Sequence, residues 1–289
     1  MALFASAVPA YAGGEITSVA AGPGTVWVTS SAGVDELDAH SGRVLREIVV
    51  GPAYPTAAAV AAGAVWIASV DQGSSPGTVL TRIDAATGSR RTFLHRQGWP
   101  DAVAVSSRTI WIAFGSRLAR LDPAGRLLGV TSLGRRGWLA VDAAGAWFCC
   151  RAGRLLRIDL RGRIHESFAV PVVGPIWPAV GSLWVETPRG LDRIDERTGR
   201  VLARIPLGPV TDVAATRGAV YALEDGALAR IDPATNRVVG QRVLPGTTEA
   251  VSAEPDGVWV TSVGRPGPPV RVYRLNPRTL ATELTVSLY

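Results

Sequence analysis

The sequence predicts an all-β chain, a seven-bladed β-propeller with four antiparallel strands in each blade. Three observations carry this. An aromatic residue between apolar neighbours recurs at Trp27, Trp66, Trp111, Trp147, Trp184, Tyr221 and Trp259, at intervals of 39, 45, 36, 37, 37 and 38 residues. A turn motif follows each aromatic, as in "RIDAATGSR" and "RIDERTGRV", with its acid or amide at Asp38, Asp84, Asp122, Asp159, Asp195, Asp232 and Asn276. Small alternating residues precede the aromatic, as in "PTAAAVAAG", "PDAVAVSSR" and "TEAVSAEPDG".

Each mark defines an element. The small-residue run suits a first strand, A, crowded by neighbours on both sides, and the aromatic marks a second strand, B. The D-x-x-T-G motif joins a third strand, C, to a fourth, D, through a hairpin whose Gly or Asn takes a left-handed conformation. In the third unit this gives A over 102–105, B over 110–113, C over 118–121 and D over 127–131. Every blade then uses contiguous chain, so no strand swapped between the ends is required, and blade 1 closes against blade 7 by packing.

One four-stranded sheet has two apolar faces and cannot cover either alone; stacking blades covers both. Burying one tryptophan removes about 150–250 Å² from water, worth at most about 4–6 kcal/mol before entropy. The repeat tryptophans are therefore read as packing between blades. The arginines before I/L-D (Arg82, Arg120, Arg157, Arg193, Arg230 and Arg274) are read as structural partners of nearby acids.

Composition excludes several classes. All 30 basic residues are arginine and outnumber the 24 acids by six, but they are spread along the chain with no basic block, so no nucleic-acid partner is expected. Residues 1–12, MALFASAVPAYA, resemble the back half of a secretory signal peptide that lacks its basic start. Residues 1–14 are accordingly read as a truncated signal or disordered N-terminus, and 15–289 as one propeller domain. The expected location is secreted, cell-surface or periplasmic. No later stretch of eighteen apolar residues exists, so no membrane span is expected. Cys149 and Cys150 are adjacent in a strand and point to opposite faces, which suits two thiols better than a disulfide.

The pattern "vWVts…RIDpaTgrVv…ipLG" resembles the bacterial propeller repeats of the YVTN and streptogramin-lyase-like group, and more loosely NHL and quinoprotein repeats. The resemblance runs from about residue 15 to the end of the chain. Streptogramin lyases, by this resemblance, would place histidines at the starts of innermost strands, with a nearby Glu and Mg²⁺. The matching positions here are Thr17, Thr56, Asp101, Gly137, Thr211 and Glu249, with Ile176 in the fifth blade, and none is histidine. His40 falls in a C–D turn, and His95 and His165 on D strands. The metal ligands of a gluconolactonase-type site and the eighth blade and docking Trp of quinoproteins are likewise missing from the pattern.

Propeller topology puts the D–A and B–C connections on one face and the C–D turns on the other. The first face gathers what does not repeat. Tyr54, Trp99, Trp138 and Trp177 fall in D–A connections or strand-A starts, while Asp101, Asp212 and Glu249 stand near the channel mouth, and Arg135 and Arg136 border Trp138. Two B–C connections are extended, at Asp71 to Thr78 and Gly264 to Pro269, since Trp66 to Asp84 is 18 residues and Trp259 to Asn276 is 17, against 11 or 12 elsewhere. The expected function is a non-catalytic scaffold, a monomer without a cofactor, binding a glycan, peptide or protein through Tyr54, Trp99, Asp101, Trp138, Trp177, Asp212 and Glu249. The alternative is a metal-assisted lyase or hydrolase using the axial carboxylates of Asp101, Asp212 and Glu249.

Overall fold

The computed structural model describes residues 18–288 except 23, 31–32, 51–53, 62, 72–76, 98–99, 107–108, 151–153, 171 and 265–268. Residues 1–14 and Trp99 therefore lie outside the described residues, as do most of both extended B–C connections.

The described elements are 28 strands in seven four-stranded antiparallel sheets, the blades of a β-propeller. Blade 1 holds β1–β4 (Ser18–Gly22, Thr25–Ser30, Gly33–Asp38, Val44–Ile48), and blade 2 holds β5–β8 (Tyr54–Ala61, Ala64–Asp71, Gly77–Asp84, Arg90–Gln97). Blade 3 is β9–β12 (Pro100–Val105, Ile110–Phe114, Arg117–Leu121, Leu127–Ser132), and blade 4 is β13–β16 (Gly137–Asp142, Gly145–Cys150, Arg154–Asp159, Ile164–Ala169). Blade 5 is β17–β20 (Ile176–Ala179, Ser182–Thr187, Gly190–Ile194, Val201–Ile205), and blade 6 is β21–β24 (Val210–Thr216, Ala219–Glu224, Ala227–Asp232, Arg237–Val243). Blade 7 is β25–β28 (Thr247–Glu254, Gly257–Val263, Val270–Leu275, Thr282–Leu288). Each sheet takes its four strands in chain order, so every blade uses contiguous chain as expected.

Contacts gather the chain into two compact units. One is built mainly of Ile48–Ile176 and holds blades 2, 3 and 4; the other holds blades 1, 5, 6 and 7. In the first unit, Trp66, Ala68 and Leu80 of blade 2 pack against Val103, Ile112 and Leu121 of blade 3. Trp111 and Leu118 of blade 3 pack in turn against Leu139, Val141 and Phe148 of blade 4. In the second unit, Trp184 and Leu191 of blade 5 meet Val213 and Val220 of blade 6, and Tyr221 and Leu228 meet Val251 and Val260 of blade 7. Blade 1 joins blade 7 through β1 and β25, where the Ala21 amide donates to Ser252 Oγ at 3.0 Å. The repeat aromatics are thus core residues: all seven are 2% exposed or less.

The recurrent arginines prove to be more than partners of acids. Arg120, Arg157 and Arg193 lie 5.9, 4.6 and 5.6 Å above the rings of Trp111, Trp147 and Trp184 in their own blades. Arg157 does pair with an acid, Asp142, at 2.8 Å. Arg120 instead reaches the next blade and donates to the Leu160 carbonyl at 2.6 Å, and Arg193 donates to Asn236 Oδ1 at 2.9 Å and to the Pro233 carbonyl. In blade 6, Tyr221 takes over this reach, its hydroxyl donating to the Pro277 carbonyl at 2.7 Å. In blade 1 the charges trade places: Glu36 holds the arginine position, and Arg46 from β4 both pairs with it and covers Trp27.

The C–D turns follow the expected chemistry. Asp195 Oδ1 accepts from the Thr198 amide and hydroxyl, both at 2.7 Å, and Asp38 Oδ1 accepts from the Ser41 amide and hydroxyl. Gly42, Gly88, Gly199 and Asn236 then take positive φ. Leu280 takes the same conformation, φ 58°, in blade 7. Its side chain is 2% exposed in the cluster with Tyr221, so burial offsets backbone strain there.

Val180, at φ 51°, is a second departure, in the turn between β17 and β18. With Gly181 at φ 65° it forms a pair of left-handed residues, a geometry that Asn-Gly adopts readily and a β-branched residue does not. Val180→Asn is expected to stabilise the fold by about 0.5–1 kcal/mol. A rise in the urea midpoint at constant m-value would show it.

Candidate functional site

Antiparallel order sets two ends in every blade. At the loop end lie the starts of A and C and the ends of B and D; at the turn end lie the A–B and C–D turns. The turn end repeats from blade to blade, and the loop end does not.

A backbone irregularity marks the loop end. Pro55 faces Ser69 and Ala57 faces Ala68, leaving Thr56 outside the ladder. Asp101 is left out in the same way between the pairs Pro100–Phe114 and Ala102–Ala113. Thr211 is left out between Val210–Glu224 and Asp212–Leu223, and Glu249 between Thr248–Ser262 and Ala250–Thr261. A bulge frees the extra residue from pairing and re-aims its side chain. Four blades thus present one polar residue each at the start of the first strand. Blade 4 keeps regular pairing from Gly137–Cys150 onward.

The bulge separates carboxylates that look alike in the sequence. Asp101 is half-buried and meets Arg136, from the connection that follows β12, at 3.0 Å. Burial pushes its carboxyl above the usual range, and the Arg136 charge opposes that shift. Its ionised form is thus disfavoured by folding, and this contribution to stability grows as pH falls through the raised value. Glu249 is also half-buried. Asp212 has a different role. It is 2% exposed, and its Oδ1 accepts from Trp177 Nε1 at 2.9 Å and the Val213 amide at 2.8 Å, while Oδ2 accepts from the Val251 amide at 2.9 Å. One carboxylate thereby ties the first strands of blades 5, 6 and 7 together.

The aromatics also divide. Trp177 is 3% and Trp138 is 8% exposed, so both rings pack inside their units. Tyr54 opens β5. The structure therefore brings Trp177 and Asp212 into contact, sets Asp212 on the amide two residues beyond Glu249, and joins Asp101 to Arg136.

Two loop-end acids were not singled out from the sequence. Glu186 is the last residue but one of β18, opposite Leu191, and accepts from the Val210 amide, with burial raising its carboxyl above the usual range. Glu224 ends β22 and accepts from the Gly208 amide at 2.7 Å and from Gln241 Nε2 at 3.3 Å. Their signal is the change at the end of the B strands, from "VWVTS" to "LWVET" and "VYALE". Among the described residues, no group of three or more His, Cys, Asp or Glu side chains is disposed to hold a metal ion. No helix among them is long and apolar enough to cross a membrane.

No family model matches the chain, and no curated protein matches it. Solved structures do. BamB from Moraxella catarrhalis aligns with a TM-score of 0.55 over 85% of this chain and 81% of that one, at 13% identity. KlHsv2 with loop 6CD replaced by a Gly-Ser linker aligns with a TM-score of 0.70 over 94% of this chain and 99% of that one, at 9% identity. At these identities the likeness shows the fold alone.

Proposed function

We propose that this protein is a non-catalytic propeller that binds a peptide or protein partner through the loop end of its blades. The observation that carries the reading is the bulge at the start of the first strand, which sets Thr56, Asp101, Thr211 and Glu249 apart from the ladder in four blades. Bulges of this kind turn side chains toward a ligand or end a pairing, and here they fall where the repeat breaks down. The side chains offered are hydroxyls, carboxylates and arginines, which recognise polar main chain and charged side chains. Asp212, with both oxygens engaged inside the fold, supports the surface and does not act as an acid, base or metal ligand.

We further propose a location outside the cell or in a periplasm, from the likeness of residues 1–12 to the back half of a signal peptide. Site-specific photocrosslinking tests the binding reading. A photoreactive residue at Thr211 or Arg136 is expected to give adducts with a protein partner in the native host. The same residue at Arg197 or Arg278, at the turn end, is expected to give none. Adducts of equal yield from both ends would refute the assignment.

A further inference from the structure

We propose that the loop end of blades 3 and 4 docks an acidic polypeptide segment, held by Arg117, Arg135 and Arg136. This rests on the binding reading above and gives its partner a chemistry.

The ladder gathers these residues. Arg117 opens β11 opposite Ser132, the last residue of β12, and the Leu133 amide donates to the Ser116 carbonyl at 2.8 Å. Arg135 and Arg136 follow in the same short connection to β13. Gly137 then pairs with Cys150, which pairs with Arg154, so a fourth arginine opens β15 two strand spacings, about 10 Å, away. Arg117, Arg135, Arg136 and Arg154 are all exposed.

Acids that could take up arginine charge are fewer here than at the other end of the same blades. At the turn end Arg126 meets Asp122 at 3.0 Å, Arg157 meets Asp142 at 2.8 Å, and His165 meets Asp159 at 2.7 Å. At the loop end Asp101 is the one acid among the described residues of the two blades, set against the exposed Arg117, Arg135 and Arg136. Its contact shows what the site accepts. Arg136 Nη2 lies 3.0 Å from Oδ1 and Nε 3.4 Å from Oδ2, a side-on clamp on a carboxylate. Alternate residues of an extended segment lie about 7 Å apart, so successive acidic side chains can reach neighbouring guanidinium groups.

Nucleic acid fits less well. Base recognition on a single strand needs exposed aromatic rings for stacking. At this end Phe114 and Trp138 are 7% and 8% exposed, and Phe168, next to the end of β16, is half-buried with its ring against Trp147.

The test is fluorescence anisotropy of a short labelled glutamate peptide with the full chain at low salt. Arg135→Ser with Arg136→Ser is expected to weaken binding about tenfold or more, and added salt to weaken it in the parent. Arg161→Ser with Arg163→Ser, at the turn end of blade 4, is expected to change it by less than about twofold. Thermal melts establish that each variant is folded. Unchanged binding in the first pair, or equal loss in the second, overturns the proposal. So does tighter binding of heparin or a single-stranded oligonucleotide than of the peptide. Loop-end crosslinks to a partner, together with peptide binding that ignores these arginines, would overturn the acidic partner and leave the binding face standing.

Discussion

Asp212→Ala is expected to lower the folding free energy by about 3–5 kcal/mol. The change strips three buried donors of their acceptor: Trp177 Nε1, the Val213 amide and the Val251 amide. Those donors belong to three blades, so the loss extends beyond one sheet. Asp212→Asn is expected to fall between alanine and the parent, because one oxygen remains and the new amide group opposes a backbone N–H. Urea denaturation distinguishes the cases by the midpoint at constant m-value. A loss below about 1 kcal/mol for alanine would mean that the carboxylate is not the tie described.

Gly137→Ala is expected to cost about 3 kcal/mol. A Cβ on Gly137 would stand 1.9 Å from the Cys149 carbonyl oxygen and 2.8 Å from Phe148 Cζ. The nearest obstacle is backbone inside a ladder, which cannot rotate aside as a side-chain tip can. To admit the methyl group, β13 must move off β14, and Phe148, 1% exposed in the core between blades 3 and 4, must move as well. Thermal denaturation of the variant reads the loss. An unchanged melting temperature would show that the two strands are not so close.

What was legible in the sequence was everything that repeats. Seven aromatics at a period near 38 residues announced seven B strands, and the third blade's strands come within two residues of their expected bounds. The D-x-x-T-G turns closed as turn chemistry requires. What stayed hidden is what periodicity cannot carry. Asp212 and Trp177 are 35 residues apart, close to one repeat, yet no neighbouring unit shows the same pair of residue types, so their hydrogen bond left no mark. The bulges hid for a related reason: one extra residue between alternating small ones shifts a register without altering composition.

The arginine that covers Trp27, Trp111, Trp147 and Trp184 also explains why blades tolerate unequal sequences. In blade 1 Glu36 and Arg46 exchange the charge, and in blade 6 Tyr221 supplies both ring and donor. The requirement is a polar arm leaving the aromatic, and several residue types meet it.

The junction of β1 with β25 bears on the order of events during synthesis. Each blade is four consecutive strands, so its own contacts form as soon as about 38 residues have emerged, a local and fast process. The bond from the Ala21 amide to Ser252 Oγ spans 231 residues. One side of the earliest blade therefore waits for the latest, and until β25 is made the apolar Val19 and Ala21 have no lasting cover. A nascent chain halted before residue 247 would be the species most prone to aggregate or to recruit a chaperone.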